Sequence, residues 1–299
     1  MTRLSAIVPA SDAPATLARC LAAIAAADEP PEEVIVVDSA DHPGPAAARN
    51  EGARRATGDV LVFVDADVEP RRDAFARVRA AFAADPGLDA VFGSYDDDPA
   101  DPGLVSRFRN LLHHHVHQES AGPAETFWAG LGAIRRSAFP GFDAERYPAA
   151  SVEDVELGLR LTAAGARIVL DPLLQGRHLK AWTLATMIHT DFARRGLPWA
   201  ELLLEDGRGS AALNLGPRHR LSALAALGLL VRRPRVAAAS VGALLVLNRR
   251  FYALLLRREG PARAVAGVGL HAVHHLTGVA AAATALGRSA QGRGSKRRR

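Results

Sequence analysis

The sequence predicts an α/β fold, a parallel-rich sheet with helices on both faces, followed by an α-helical hydrophobic C-terminal region. Three observations lead there. Short apolar, β-branched runs recur through the first hundred residues, the composition of strands buried on both faces of a parallel sheet. Stretches with helical spacing separate these runs, as in successive βαβ units. The charge balance then inverts along the chain. Residues 1–206 hold 20 Lys and Arg against 31 Asp and Glu, whereas residues 207–299 hold 17 against a single acid, Glu259. The formal net charge of +5 is therefore the sum of an acidic body at −11 and a basic tail at +16.

Each element follows from its residues. Residues 4–9 form an apolar run ended by Pro9, and no charged segment with a long apolar stretch precedes it. The chain thus reads without a signal peptide, and its N-terminal part is expected in the cytosol. Residues 13–27 place Leu17, Leu21 and Ile24 on one helical face. Residues 34–37 are a β-branched strand closed by Asp38, and residues 45–56 read as a helix with Pro45 in its first turn. Val60 to Val64 is a second continuous strand, ending at Asp65. A helix over 71–84 and a strand over 90–92 follow. The acidic, proline-containing stretch 94–103 reads as a loop. Beyond it the pattern predicts a helix over 104–118, a small-residue segment over 127–134 and a helix over 151–164 with Ser151 as N-cap. A strand over 167–170 and a helix over 179–195 complete the body. In the tail, the apolar stretches 221–231 and 236–247 are split by Arg232–Arg233–Pro234–Arg235. As helices they reach about 17–18 Å, short of a roughly 30 Å hydrocarbon core. The uncharged stretch 264–287 is long enough to span but contains His271, His274 and His275. The expected organisation is a catalytic domain over 1–200, an amphipathic connection over 201–220, a hydrophobic membrane-associated region over 221–287 and a basic tail over 288–299.

Composition excludes several classes of function. At 48% hydrophobic residues the chain is not intrinsically disordered. Cys20 is the only cysteine, which excludes a disulfide framework and a cysteine-based zinc site. The basic tail lacks interleaved aromatic residues, and its arginines border apolar stretches. That pattern fits an anionic membrane surface, not nucleic acid.

Parallel sheets bind ligands beyond the carboxyl ends of their strands, where Asp38 and Asp65 stand. Asp65–Ala66–Asp67 puts two carboxylates at i and i+2 after a buried strand. Such a pair can hold one hard divalent cation, Mg²⁺ or Mn²⁺, and approach a ribose, although a solvated loop can also carry two acids. Glu153–Asp154, with Glu156 beyond, opens a helix. A carboxylate there can serve as general base or simply complement the helix dipole. His113, His114, His115 and His117 cluster on one helix, where His113 and His117 at i and i+4 could share a metal or the cluster could wall an acceptor pocket. Arg135–Arg136 could meet a phosphate or turn into solvent.

In this order the motifs resemble the inverting family 2 glycosyltransferases of GT-A fold. The matching residues are Ala6–Ile7–Val8–Pro9, residues 34–38, the Ala47–Ala48–Arg49–Asn50–Glu51–Gly52–Ala53 run and residues 58–67. Trp128–Ala129–Gly130, Gly141–Phe142–Asp143 and residues 153–161 follow. The likeness covers roughly residues 4–183. It implies that Pro9, Asp38, Arg49, Asp65 and Asp67 bind a nucleotide sugar. Asp67 and Asp65 would hold the metal, with Asp67 the better ligand. Asp154 would be the catalytic base with Glu153 beside it. Trp128, Gly130, His178, Lys180 and Trp182 would line the diphosphate or acceptor. The chain departs from the family in the short link from Asp38 to Gly44, in Ser11–Asp12 after the first strand, and in lacking the full Gln-x-x-Arg-Trp signature of processive synthases. The resemblance and the tail together lead us to expect transfer to a lipid or lipid-linked acceptor at the cytoplasmic face of the cell membrane. A sugar-1-phosphate nucleotidyltransferase would share the sheet and the metal carboxylate, but its Gly-rich basic first loop is missing here. A catalytically inactive membrane-anchored partner is the third reading, opposed by the intact Asp65, Asp67 and Asp154.

Overall fold

The apolar runs of the N-terminal half become strands where their composition places them. The computed structural model describes residues 2–10, 15–38, 44–206 and 216–296. Ser11–Asp12, residues 207–215 of the 201–220 connection and the final three arginines of the 288–299 tail lie outside the described residues. The chain packs as two units, one comprising Met1–Pro102 and Val116–Ala181, the other Gly103–His115 and Trp182–Arg299.

In the first unit, β1 (Leu4–Pro9), β2 (Glu33–Val37), β3 (Val60–Val64), β4 (Val68–Pro70), β5 (Ala90–Tyr95), β6 (Gly122–Ala124), β7 (Leu131–Arg135) and β8 (Ile168–His178) form one sheet. Its order is β2-β1-β3-β7-β5-β8-β4, with β6 beside β8. The pairs β1–β2, β1–β3 and β5–β8 are parallel, whereas β7 runs antiparallel to both β3 and β5. The sheet is therefore mixed. Sequence could not show this, because a strand buried on both faces has the same apolar composition whichever way it runs.

The side chains of Leu4, Ala6, Val8, Val60, Val62 and Val64 point to one face. There they share a core with Cys20 and Ile24 of α1 (Leu17–Ala25) and Phe75, Val78 and Phe82 of α3 (Ala74–Ala84). On the opposite face, Phe63 meets Phe127, Phe139 and Phe142 at ring-centroid distances of 6.4, 5.4 and 5.3 Å. Helix α2 (Gly44–Arg55) packs on β1 and β2. Helix α5 (Glu153–Ala163) approaches the same aromatic cluster through Gly158, where an added Cβ would stand 2.2 Å from the backbone nitrogen of Phe127. Backbone cannot yield as a flexible side chain does. Gly158→Ala is therefore expected to lower stability by about 1–3 kcal/mol or more, read as a shifted denaturant midpoint.

Several boundaries move from the sequence reading. The helix expected from residue 71 begins at Ala74, because residues 68–70 pair with β8 and the Arg71 N–H donates to the Gln175 carbonyl. The strand expected over 167–170 runs on to His178. The predicted 179–195 helix starts instead at Leu184, where Thr183 and Thr186 form a reciprocal capping box. Ser151 is not the cap of α5. Val152 holds that position without a side-chain cap, and the Ser151 N–H donates to Glu153 Oε2.

In the second unit, α6 (Leu184–His189) continues through a π-helical stretch, Thr190–Gly196, into α7 (Leu197–Asp206). Helix α4 (Leu104–Glu119) starts in this unit and ends in the first. Then come α8 (Pro217–Gly228), α9 (Pro234–Leu247) and α10 (Arg249–Lys296), the last broken at Gly260–Pro261, where Gly260 has φ 75°. Residues 182–200, assigned to the catalytic domain from sequence, pack here with the C-terminal helices. By length and composition, Arg249–Gln291 is the one described helix long and apolar enough to cross a membrane. A buried polar cluster lies inside this unit, where Asp191 forms an ion pair with Arg109 at 2.9 Å and a hydrogen bond with His274 Nδ1 at 2.8 Å.

Candidate active site

Parallel pairing of β1, β2 and β3 brings Pro9, Asp38 and Asp65 to one edge of the sheet, the edge where open α/β sheets bind ligands. Pro9 lies opposite Val37 in the register, and Asp38 follows it in an exposed position.

Main-chain hydrogen bonds join the later motifs to Asp65–Ala66–Asp67. The Asp65 N–H donates to the Gly130 carbonyl at 3.0 Å, and the Leu179 N–H donates to the Asp67 carbonyl at 2.8 Å. The segments holding Trp128, Gly130, His178 and Lys180 are thus anchored on the acid pair from two sides. The Ala129 N–H donates to Asp154 Oδ2 at 3.2 Å, which connects the first turn of α5 to the same strip of backbone.

Arg49 occupies the centre. Only 4% exposed, its guanidinium donates to Asp65 Oδ1 at 2.6 Å and to Glu153 Oε1 at 2.9 Å, with its charge 5.4 Å from the Phe142 ring centroid. Burial works against this charge, but Asp65 and Glu153 outweigh it and hold the guanidinium protonated. Helix α2 can bury an arginine here because the adjacent positions are small, Ala46, Ala48 and Gly52. Glu153 is also buried, with its second oxygen receiving the Ser151 N–H. Its carboxylate is fully engaged by the protein.

The two acids of the Asp-x-Asp pair differ electrostatically. Burial pushes the Asp65 carboxyl up more strongly than Arg49 pulls it down, and the neighbouring Asp67 charge adds to the rise. For Asp67, burial also acts upward, but His178 and Lys180 prevail and hold it below the ordinary range. His178 Nε2 lies 3.7 Å from Asp67 Oδ2. Asp154 is pushed up to about 6, first by burial and then by the Glu153 charge, against the pull of Arg49 and the Ala129 N–H.

Tyr95, which the sequence pattern did not single out, borders His178. Tyr95 stacks on the imidazole at 4.1 Å between centroids, and Trp128 meets Tyr95 edge-on at 4.9 Å. His117 lies edge-on to Trp128, and its Nδ1 is 2.8 Å from the Gly93 carbonyl. Tyr95 was legible in principle, since it ends β5 as Asp65 follows β3. The histidine cluster divides: His117 sits in the first unit and His115 packs near Phe251 in the second. No set of three or more His, Cys, Asp or Glu that could hold a metal occurs among the described residues. Arg135 is occupied by the Leu88 carbonyl and the Phe82 ring, and Arg136 by the Ala56 carbonyl. Trp182 belongs to the second unit, where its backbone N–H donates to Ser106 Oγ and Arg109 lies over its ring.

Residues 40–140 match the family described as Glycosyl transferase family 2. Over that third of the chain the protein is similar to the family 2 glycosyltransferases. The Asp-x-Asp pair and Trp128–Ala129–Gly130 lie inside the match, and Asp154 and His178 lie beyond it. The glycosyltransferase shares its fold with the mannosyltransferase PcManGT from Pyrobaculum calidifontis, solved in complex with GDP-Man and Mn²⁺. That likeness has a TM-score of 0.57 at 20% identity and covers 95% of this chain and 87% of that one. It also resembles residues 1–349 of TarS from S. aureus, at TM-score 0.50 and 15% identity, over 97% of this chain and 92% of that one. At these identities the likeness establishes the GT-A-type fold. No curated protein matches the chain.

Proposed function

We propose that this glycosyltransferase moves a sugar from a nucleotide-sugar donor to an acceptor hydroxyl by a single inverting displacement. The observation that carries the reading is the joining of Asp65, Asp67, Gly130, Asp154 and His178 into one site by direct hydrogen bonds and close contacts. Asp38 and Pro9 flank the position for the nucleoside. The acceptor O–H gives its proton to Asp154 while its oxygen attacks the anomeric carbon. The bond from that carbon to the diphosphate breaks, and its electron pair departs with the nucleoside diphosphate. Arg49 and Glu153 are positioning residues, since both are buried, Arg49 bridges Glu153 to Asp65, and both Glu153 carboxylate oxygens accept from the protein. Lys180 lies beside Asp67, where its positive charge favours a diphosphate, and His178 adds a ring nitrogen 3.7 Å from Asp67 Oδ2.

The donor set fits a hard divalent cation, Mg²⁺ or Mn²⁺. Asp67 is held ionised and partly exposed, and such ions commonly bind through one or two carboxylates with substrate phosphates and water completing the shell. When bound, the ion would neutralise charge developing on the departing diphosphate. The Mn²⁺ and GDP-Man described for the Pyrobaculum protein support this assignment.

We further propose a lipid or lipid-linked acceptor at the cytoplasmic face of the membrane, a reading supported by the arginine-bordered apolar helices of the second unit. The decisive experiment is a donor screen that follows nucleoside diphosphate release with Mn²⁺ and added membrane lipid. Release from no nucleotide sugar, with pyrophosphate formed from a nucleoside triphosphate and a sugar phosphate instead, overturns the assignment.

A base with its pKa near 6 must be ionised to act, so kcat/KM is expected to fall as pH drops through about 6. A pH–rate profile checks this. Activity that stays flat down to about pH 4, the ordinary aspartate range, would remove Asp154 from the role.

A further inference from the structure

Helices α8 and α9 form a hairpin whose polarity is inverted. The residues buried between and beneath them are small or polar, namely Ser222, Ala226, Ser240 and Asn248, together with Leu244. Asn248 Nδ2 donates to Ser222 Oγ at 3.0 Å. A Cβ on Gly228 would stand 2.2 Å from Ser240 Oγ, so the two helices touch where side chains are smallest. The large apolar residues face outward instead: Leu221, Leu224 and Leu230 are 51–64% exposed, and Val246 is 71% exposed. A water-soluble hairpin places leucine inside and serine outside. Small residues and interhelical polar contacts inside, with aliphatic side chains outside, are the arrangement of helices solvated by lipid.

Charge identifies the lipid. From Gly216 to Arg258 there are nine arginines and no acidic residue, and Arg232, Arg233 and Arg235 gather at the exposed turn between the helices. Apolar faces rimmed by arginine match an anionic bilayer surface. A second copy of the chain is a poorer occupant, because a self-complementary contact would set like charges against one another. Length determines the mode of insertion. Helices of 12 and 14 residues extend roughly 18 and 21 Å, which is too short for a roughly 30 Å hydrocarbon core.

We infer that the α8–α9 hairpin embeds in one leaflet of an anionic bilayer, its leucines and valines among the acyl chains and its Arg232–Arg235 turn among the headgroups. This deepens the membrane reading above and rests on it. The hairpin is a built lipid-docking surface of the second unit, independent of the sheet.

The test uses the full chain and vesicles of phosphatidylcholine with or without phosphatidylglycerol. The chain is expected to sediment with the anionic vesicles and to stay in solution with phosphatidylcholine alone. The Leu224→Glu/Leu245→Glu double variant, altered only at exposed positions, is expected to bind at least about tenfold more weakly. Cys20 is buried, so a polarity-sensitive dye on Leu224→Cys or Arg233→Cys reports on the introduced thiol. Blue-shifted emission at 224 and aqueous emission at 233, reachable by quencher only from outside the vesicle, support one-leaflet insertion. Quenching at 233 from the vesicle interior would show a spanning hairpin and overturn it. So would unchanged binding by the double variant, or a lipid-free dimer in light scattering that ignores vesicles. Nucleoside diphosphate release measured in parallel separates the two proposals. Release without vesicle binding overturns the hairpin alone, and vesicle binding without release overturns the transferase reading alone.

Discussion

Asp154→Asn is expected to lower sugar transfer by roughly 10³-fold, within the 10²–10⁴-fold range that a positioned general base contributes. The substitution keeps the shape of the side chain and lets its amide oxygen face the Ala129 N–H, but it removes the carboxylate proposed to take the acceptor proton. Binding of Mn²⁺, read by electron paramagnetic resonance, should survive it, since that duty is assigned to Asp67 and Asp65. Asp67→Ala should do the reverse and abolish transfer together with Mn²⁺ binding. Full donor turnover in either variant would dismiss the assignment of that residue. The pairing of readouts matters because loss of activity by itself does not tell a base from a metal ligand.

The second large effect concerns stability. Arg49→Met would leave Asp65 and Glu153 facing each other without a cation, with Glu153 almost wholly buried. Removing one partner of a buried ion pair costs about 3–5 kcal/mol, a large part of the roughly 5–15 kcal/mol that holds a domain folded. A drop of that size in the denaturant midpoint is expected at neutral pH. Arg49→Lys should recover only part of it, because an ammonium cannot match two separate carboxylates as a planar guanidinium does. A midpoint unchanged by Arg49→Met would mean that the bridge contributes nothing to folding.

Much of the sheet was readable in advance. Residues 4–9 and 60–64 are strands with the boundaries their apolar runs predict, since burial on both faces leaves a continuous local pattern. The position of Asp65 and Asp67 just past β3 was readable for the same reason, because a strand's end is marked in the chain. The resemblance groups Trp182 with His178 and Lys180, whereas the unit boundary falls between Ala181 and Trp182. The helix expected over 179–195 was displaced by a capping box at Thr183, a signal of two hydroxyls that hydrophobic periodicity does not register.

What composition and local pattern decided for this protein is the set of strands, the acids at their ends, and the division into an acidic body and a basic, apolar tail. Each depends on residues a few positions apart, so each is written in one short stretch of chain. Tertiary structure alone decided the antiparallel course of β7, the Arg49 bridge to Glu153 across 104 positions, the stacking of Tyr95 on His178, and the outward turn of the leucines on α8. These depend on which distant surfaces meet. Hydrophobicity is indifferent to strand direction, and an arginine in a helix of small residues does not announce which carboxylates will enclose it.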